Sequence, residues 1–348
     1  MMALEGCGDL PYQLDFSPLE QVGFTPSTVV VQLPPGLKQY STTIAECISK
    51  ITGWKNIILH GDPSYGACDL SYPELSTVLG ADLIVHVGHT PYPKSLSPTV
   101  EPGGRPRIVY VPAKSKTSIS EDAAARAAEI LSPNARRVGL TSTVQHAHLL
   151  PALASMLMNH GLETVLPRGR PPYFLPGQVL GCDYTTALAA GPVDAYIFLG
   201  GGFFHPLGLY LATRKQVVQV DPYSSTVRDV TPDAERVYKV RLYKVSQAFD
   251  ARVWGIIVGL KTGQYRPMLI RRITRLVEEK GAKYSLIAFE RVTLQELRDI
   301  ATQYDAFVVT SCPRLPIDDL SHCEKPVLTP GEARMALSGR LEPYLFPW

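Results

Sequence analysis

Thr28-Val-Val-Val-Gln-Leu33, a helix-patterned segment from Thr42 to Ile51, and Asn56-Ile-Ile-Leu-His60-Gly-Asp-Pro63 follow one another early in a 348-residue chain. The outer two runs are short and continuously apolar, as strands buried on both faces of a parallel sheet must be. Between them Ile44, Cys47, Ile48 and Ile51 recur at helical spacing and supply the crossover that parallel strands need. The Gly61-Asp62-Pro63 turn leads to Cys68, and a third strand is expected at Leu83 to Val87.

The same order recurs twice. A second unit opens with a strand at Arg137 to Thr141, then a helix from Ala147 to His160 closed by Gly161, and a strand at Glu163 to Leu166. A Pro-rich bend at Arg170 to Pro176, then Cys182, then a strand at Ala195 to Leu199 follow, running into Gly200-Gly201-Gly202. A third unit has a strand at Trp254 to Leu260 and a helix from Pro267 to Lys280, with Leu269, Ile273, Leu276 and Val277 on one face and Gly281 as its stop. A strand at Tyr284 to Ala288, a helix opened by a Thr293…Glu296 capping box, and a strand at Phe307 to Thr310 then deliver Cys312. The expected fold is α/β: three Rossmann-like parallel-sheet repeats, residues 1–115, 116–228 and 229–348, around a pseudo-threefold axis with a central site. Seams are expected at Ala113 to Ser120 and around Thr231 to Asp250, and the tail Leu341 to Trp348 reads as an apolar strap.

Composition is that of an ordinary globular chain, 45% hydrophobic and 19% charged, with 27 Gly and 30 Pro. A formal net charge of +2 and no long basic run argue against nucleic acid. No apolar stretch approaches the ~20 residues of a bilayer span, and Met1 to Asp9 lacks the form of a secretory signal, so a cytoplasmic setting is expected. In that setting six cysteines point to free thiols or metal ligands rather than a disulfide framework.

Cys68, Cys182 and Cys312 stand one in each repeat, among turn formers: Tyr65-Gly-Ala-Cys68-Asp69, Leu180-Gly-Cys182-Asp183 and Thr310-Ser-Cys312-Pro-Arg314. Three converging thiolates would leave a metal centre one open position, and soft sulfur donors select zinc, Cu(I) or iron-sulfur. Their wide separation disfavours a zinc knuckle. Cys47 reads as a small apolar residue on a helix face, and Cys7 and Cys323 have no partner pattern.

Longer strings carry a family likeness. His60-Gly-Asp-Pro-Ser-Tyr-Gly-Ala-Cys68-Asp69, Gly80-Ala-Asp82-Leu-Ile-Val-His86-Val-Gly88-His89, Gly200-Gly-Gly-Phe-Phe-His205-Pro-Leu-Gly208, Asp221-Pro-Tyr, Gly259-Leu-Lys261-Thr-Gly-Gln264-Tyr-Arg266 and Ser311-Cys312-Pro-Arg314 span most of the chain. Together they resemble the archaeal diphthamide biosynthesis family. The resemblance implies an unusual radical enzyme in which Cys68, Cys182 and Cys312 hold a [4Fe-4S] cluster with S-adenosylmethionine as cosubstrate. It further implies transfer of a 3-amino-3-carboxypropyl group to a histidine of translation elongation factor 2, the first step of diphthamide synthesis, by a homodimer. Two alternatives stand beside it: a quinolinate-synthase-like iron-sulfur lyase, and a non-catalytic iron-sulfur partner subunit.

The candidate cosubstrate contacts each have a plainer reading. Gly200, Gly201 and Gly202, with His205, could let the cosubstrate lie against main chain, or form an ordinary turn. Gln32, Lys261 and Gln264 stand at crevice edges as carboxylate or ribose contacts, or in solvated loops. His86 reads as a hydrogen-bonded core residue and His89 as the one nearer the crevice. Asp69 and Asp183 read as helix caps, with support of the centre as the alternative. Arg314 is set to meet a carboxylate, of the cosubstrate or of a surface acid.

Overall fold

The computed structural model describes residues 9–70, 72–92, 107–131, 133 and 135–348. In chain order the strands are β1 (Tyr12–Leu14), β2 (Val29–Gln32), β3 (Ile57–Leu59), β4 (Leu83–Val87), β5 (Arg107–Val111), β6 (Ala113–Ser115), β7 (Arg137–Ser142), β8 (Glu163–Val165), β9 (Ala195–Leu199), β10 (Gln216–Asp221), β11 (Thr226–Asp229), β12 (Val253–Gly259), β13 (Lys283–Phe289), β14 (Ala306–Val309) and β15 (Val327–Leu328). They form three larger sheets, ordered β3-β2-β4-β5, β8-β7-β9-β10-β11 and β13-β12-β14-β15. All pairings in these sheets are parallel except β10 with β11.

Each sheet is wound in the same order. Its opening strand lies inside, the second strand pairs on one side of it, and the third and fourth extend on the other. The winding direction therefore changes between first and third strands, β2 and β4, β7 and β9, β12 and β14. A crevice opens beyond the carboxyl ends of such a pair, and this is where open parallel sheets bind ligands. The apolar runs that nucleate the sheets are covered by helices: Val29, Val31, Leu83 and Val85 pack with Ile44 and Ile48 of the crossover helix Ser41–Thr52. In the second sheet Tyr196 and Phe198 face one core and Ala195 and Ile197 another, so both faces are buried.

Four expectations need correction. Ala113–Ser115 is not a free seam, because it pairs antiparallel with Tyr12–Leu14. Thr231–Gln247, the other expected seam, is a 17-residue helix that buries Ala234, Tyr238, Arg241 and Val245. Its Tyr238 lies in a core of the second sheet and its Val245 in one of the third. Cys47 is buried on its helix as expected, but it is disulfide-bonded. Pairing depends on which segment returns to that helix, and local spacing does not record it. Cys323 is a buried free thiol, and Cys7 lies outside the described residues. Lastly, the three site cysteines are not in equivalent turns: Cys68 and Cys182 follow second strands, whereas Cys312 follows a third.

Arg241 makes the deepest ionic contact. Its Nε donates to Glu332 Oε1 at 2.8 Å and its Nη2 to Oε2 at 2.5 Å, while Nη1 reaches the Pro316 carbonyl at 2.8 Å. Glu332 also closes the capping box of helix Pro330–Ser338 with Thr329 and accepts the Tyr344 hydroxyl at 2.6 Å. Burial alone would raise the Glu332 carboxyl, but the Arg241 charge and its hydrogen bonds hold it below its usual range. Among the described residues no helix is long and apolar enough to cross a membrane.

Candidate functional site

The three cysteines are gathered by contacts between units. Cys68 sits in a tight turn in which Asp69 N–H donates to the Gly66 carbonyl at 2.9 Å. From the third unit, Gly263 N–H donates to the Cys68 carbonyl at 3.1 Å. A Cβ on Gly263 would stand 2.3 Å from Cys68 Cα, so only glycine permits this approach. Beside it the Lys261 ammonium forms a buried ion pair with Asp69, again joining third unit to first. Gly263→Ala is expected to force these loops apart at a cost of about 1–3 kcal/mol. A lowered urea midpoint with an unchanged m-value would register it.

Cys182 lies in a small backbone bridge in which Leu180 and Asp183 exchange N–H···O bonds of 3.0 Å. Asp183 accepts Thr185 N–H at 2.8 Å and pairs with Arg170 at 3.2 Å, but the N-cap of helix Thr185–Leu188 is Tyr184, so Asp183 is not the expected helix cap. Tyr92, from the first unit, places its hydroxyl 3.6 Å from Cys182 Sγ. Cys312 follows β14, and its carbonyl accepts Leu315 N–H at 3.2 Å.

All three residues are half-buried, in surroundings dense enough to set their chemistry. Burial, then the charges of Cys182 and Cys312, push the Cys68 thiol far up. Burial raises Cys312 to about 11, with the Cys182 charge adding and the Arg266 charge opposing. Cys182 is also raised by burial, against the opposing pull of Arg266 and Tyr92. Cys68 feels both other thiols and Cys312 feels Cys182 across unit boundaries, so the three face a common interior. Without a metal among them they stay protonated at neutral pH, and a metal centre would have to displace those protons.

Next to Cys312 a cavity of about 470 Å³ opens past the ends of β12, β13 and β14, lined in part by Asp69, Lys261, Gln264, Phe289, Leu294 and Cys312. Of the expected contacts, Lys261, Gln264 and Arg314 line it. Lys261 is buried and paired with Asp69, not in a solvated loop. Asp69 itself accepts Tyr65 N–H at 3.1 Å and this lysine, and so is not the expected helix cap. Arg314 meets the nearby acids Asp318 and Asp319 at 3.3 and 4.0 Å.

Gln32 is fully buried at the end of β2, with Oε1 3.4 Å from His86 Nδ1 and Nε2 without a partner among the described residues. His86 is a core residue, as expected, and its Nε2 lies 2.9 Å from His89 Nδ1. Burial lowers both His89 and His205 to about 4, so both are neutral at neutral pH. His205 stacks on Phe198, with centroids 6.0 Å apart and planes 8° apart. The carbonyls of Gly200 and Gly202 are both held by Gln219 Nε2, at 2.8 and 2.7 Å, so the glycine triplet is a turn pinned to β10.

Three residues around Cys182 were missed by sequence reasoning. Arg266 donates to the Tyr92 hydroxyl at 2.6 Å and stacks on Trp348, whose indole N–H donates to the Cys182 carbonyl at 2.8 Å. Arg266 lies at the end of the Gly259 to Arg266 segment, where nothing in the local pattern sets it apart. Trp348 was read only as part of a strap, and nothing local to Tyr92 marks it.

Fold and site together define an α/β protein in which three sheets, parallel but for one antiparallel pair, each lead into a loop bearing a half-buried cysteine, with Cys312 on the wall of a ligand-sized recess. The family model for diphthamide synthesis proteins matches residues 33–344, and the chain belongs to that family. It is 35% identical over 315 residues to the 2-(3-amino-3-carboxypropyl)histidine synthase of Pyrococcus horikoshii, covering 90% of this chain and 86% of that protein. It is 29% identical to subunit 1 of the human 2-(3-amino-3-carboxypropyl)histidine synthase, over 89% of this chain and 68% of that one. The crystal structure of Dph2 from Pyrococcus horikoshii superposes with a TM-score of 0.78 at 33% identity, covering 94% of this chain and 90% of that chain. The same protein has been solved with a 4Fe-4S cluster, and it matches equally well.

Proposed function

We propose that this chain is a 2-(3-amino-3-carboxypropyl)histidine synthase in which Cys68, Cys182 and Cys312 hold a [4Fe-4S] cluster. Its cosubstrate is S-adenosylmethionine and its target a histidine of translation elongation factor 2, in the cytoplasm, with the enzyme acting as a homodimer. What supports this reading is the electrostatic reach of the three thiols across unit boundaries, with Cys312 on the wall of the recess. The donor set fits the group. Three soft thiolates are the donors an iron-sulfur cluster takes, although among the described residues no three His, Cys, Asp or Glu side chains are grouped to hold a single metal ion. Three protein ligands on four irons leave one iron open to a cosubstrate.

When bound, the cluster would lend one electron to the sulfonium and recover one as the modified imidazole loses its C2 proton. The chain's own residues bind and orient. The recess is of ligand-binding size, with Phe289 and Leu294 offering apolar walls for an adenine and Lys261 and Gln264 polar contacts for ribose or carboxylate. Because Asp69 balances Lys261, the lysine acts as a donor without adding a net charge that would repel the sulfonium. Orientation selects the sulfur to Cγ bond for cleavage, methylthioadenosine leaves, and the aminocarboxypropyl group joins C2 of the target imidazole. Over the whole reaction S-adenosylmethionine and histidine give modified histidine, methylthioadenosine and one proton, with no net oxidation.

Anaerobically reconstituted protein, given dithionite, S-adenosylmethionine and elongation factor 2, is expected to release methylthioadenosine and add 3-amino-3-carboxypropyl mass to one histidine. An intact cluster that yields neither product would remove the reading. Quinolinate formed from iminoaspartate and dihydroxyacetone phosphate would favour the lyase instead.

A further inference from the structure

Arg266 is 6% exposed and is fixed by its neighbour in sequence. Pro267 opens helix Pro267–Glu279, and Arg266 before it takes a non-helical backbone with φ −128° and ψ 76°. A residue preceding proline is driven out of the helical region, so the turn holds Arg266 at the mouth of the helix. Its guanidinium carbon lies 3.8 Å from the centroid of the Trp348 ring, while Nη2 donates to the Tyr92 hydroxyl at 2.6 Å. That hydroxyl is the one 3.6 Å from Cys182 Sγ. Trp348 closes the circuit, since its indole donates to the Cys182 carbonyl. Four residues from three units thus form one linked set around a single thiol.

The guanidinium reaches toward the centre through the Tyr92 hydroxyl beside Cys182 Sγ, which packing alone would not require. Its Nε is buried and has no partner among the described residues. A buried donor left unpaired is costly, and such a donor is expected where an acceptor is still to arrive. Among its described hydrogen bonds and ion pairs Arg266 meets no carboxylate that would neutralise its charge.

We propose that Arg266, clamped between Trp348 and Tyr92, is a positioning residue for the Cys182 thiolate whose fixed charge raises the potential at which the centre accepts an electron. This rests on the reading of the three cysteines as cluster ligands. Reduction adds negative charge to the cluster, and a fixed cation beside its thiolates favours the reduced form. Arginine suits the role better than lysine, because a planar guanidinium can stack on the indole while donating sideways.

The test is a redox titration of the full chain, reconstituted anaerobically and followed by electron paramagnetic resonance, with iron and sulfide measured alongside. Arg266→Gln with full iron content is expected to show at least a tenfold lower ratio of reduced to oxidised cluster at fixed potential, about 59 mV for a one-electron couple. Arg266→Lys should shift less, and Trp348→Ala should shift in the same direction by releasing the clamp. If Arg266→Gln does not retain iron, the other two variants decide by the same comparison. A ratio within threefold of the unsubstituted protein, in Arg266→Gln or otherwise in Trp348→Ala, overturns the proposal while leaving the cluster reading intact. Failure of the unsubstituted protein to take up a four-iron cluster would instead remove the reading on which it rests.

Discussion

Cys68→Ala, Cys182→Ala and Cys312→Ala are each expected to abolish stable cluster retention and bring transfer below detection. Three ligands are the fewest that can hold a cluster with one iron open, so the loss of any one leaves two anchors and a second exposed iron. The effect should be specific to the centre. The three residues are half-buried, and as thiols they carry no charge that their neighbours must balance, so the metal-free fold should lose little stability. Cys323, buried among Leu320 and Val327 in a core of the third unit, provides the control. Cys323→Ala should keep full iron per chain, at the cost of a small cavity. Iron and sulfide analysis with visible absorption distinguishes these cases, and undiminished iron in any of the first three variants would exclude that residue as a ligand.

The second large effect concerns stability. Arg241→Ala is expected to cost about 3–5 kcal/mol, because it leaves the fully buried Glu332 carboxylate without its partner. Stabilities of whole domains are only about 5–15 kcal/mol, so this is a substantial fraction. The loss would fall between the second and third units, which the helix Thr231–Gln247 joins through Tyr238 and Val245. Arg241→Met combined with Glu332→Leu should recover much of the loss, since removing both charges removes the desolvation cost as well. Urea unfolding of the metal-free chain measures both, and a single-variant cost below about 1 kcal/mol would show that the pair contributes little.

These contrasts explain what could be read from residues alone. The strands at Val29–Gln32, Leu83–Val87 and Ala195–Leu199 were readable because burial on both faces leaves an unbroken apolar run. The capping box at Thr293 and Glu296 was readable because its two partners are three residues apart. Thr231–Gln247 was not, because its buried Arg241 is balanced by a carboxylate 91 residues away. Helix Phe204–Thr213 was hidden by Pro206 and Gly208, and yet Gly208 is required there, since a Cβ would fall 1.9 Å from the Tyr184 hydroxyl oxygen.

The candidate site divides in the same way. The cysteines stood out because Gly66, Gly181 and Pro313 put each of them in a turn. Their convergence could not be read, because it depends on contacts such as Gly263 against Cys68 and Tyr92 against Cys182, between residues far apart in the chain. The ion pair of Lys261 with Asp69 was hidden for the same reason. Arg314, in contrast, found acids within its own turn.

Diffraction at the iron absorption edge from anaerobically grown crystals of the reconstituted protein tests the central claim most directly. The expected result is one four-iron cluster bonded to Cys68, Cys182 and Cys312 Sγ, with the fourth iron free of any protein sulfur and facing the recess of Lys261 and Gln264. Iron bound elsewhere, or a cluster lacking one of these three sulfurs as a ligand, would contradict it.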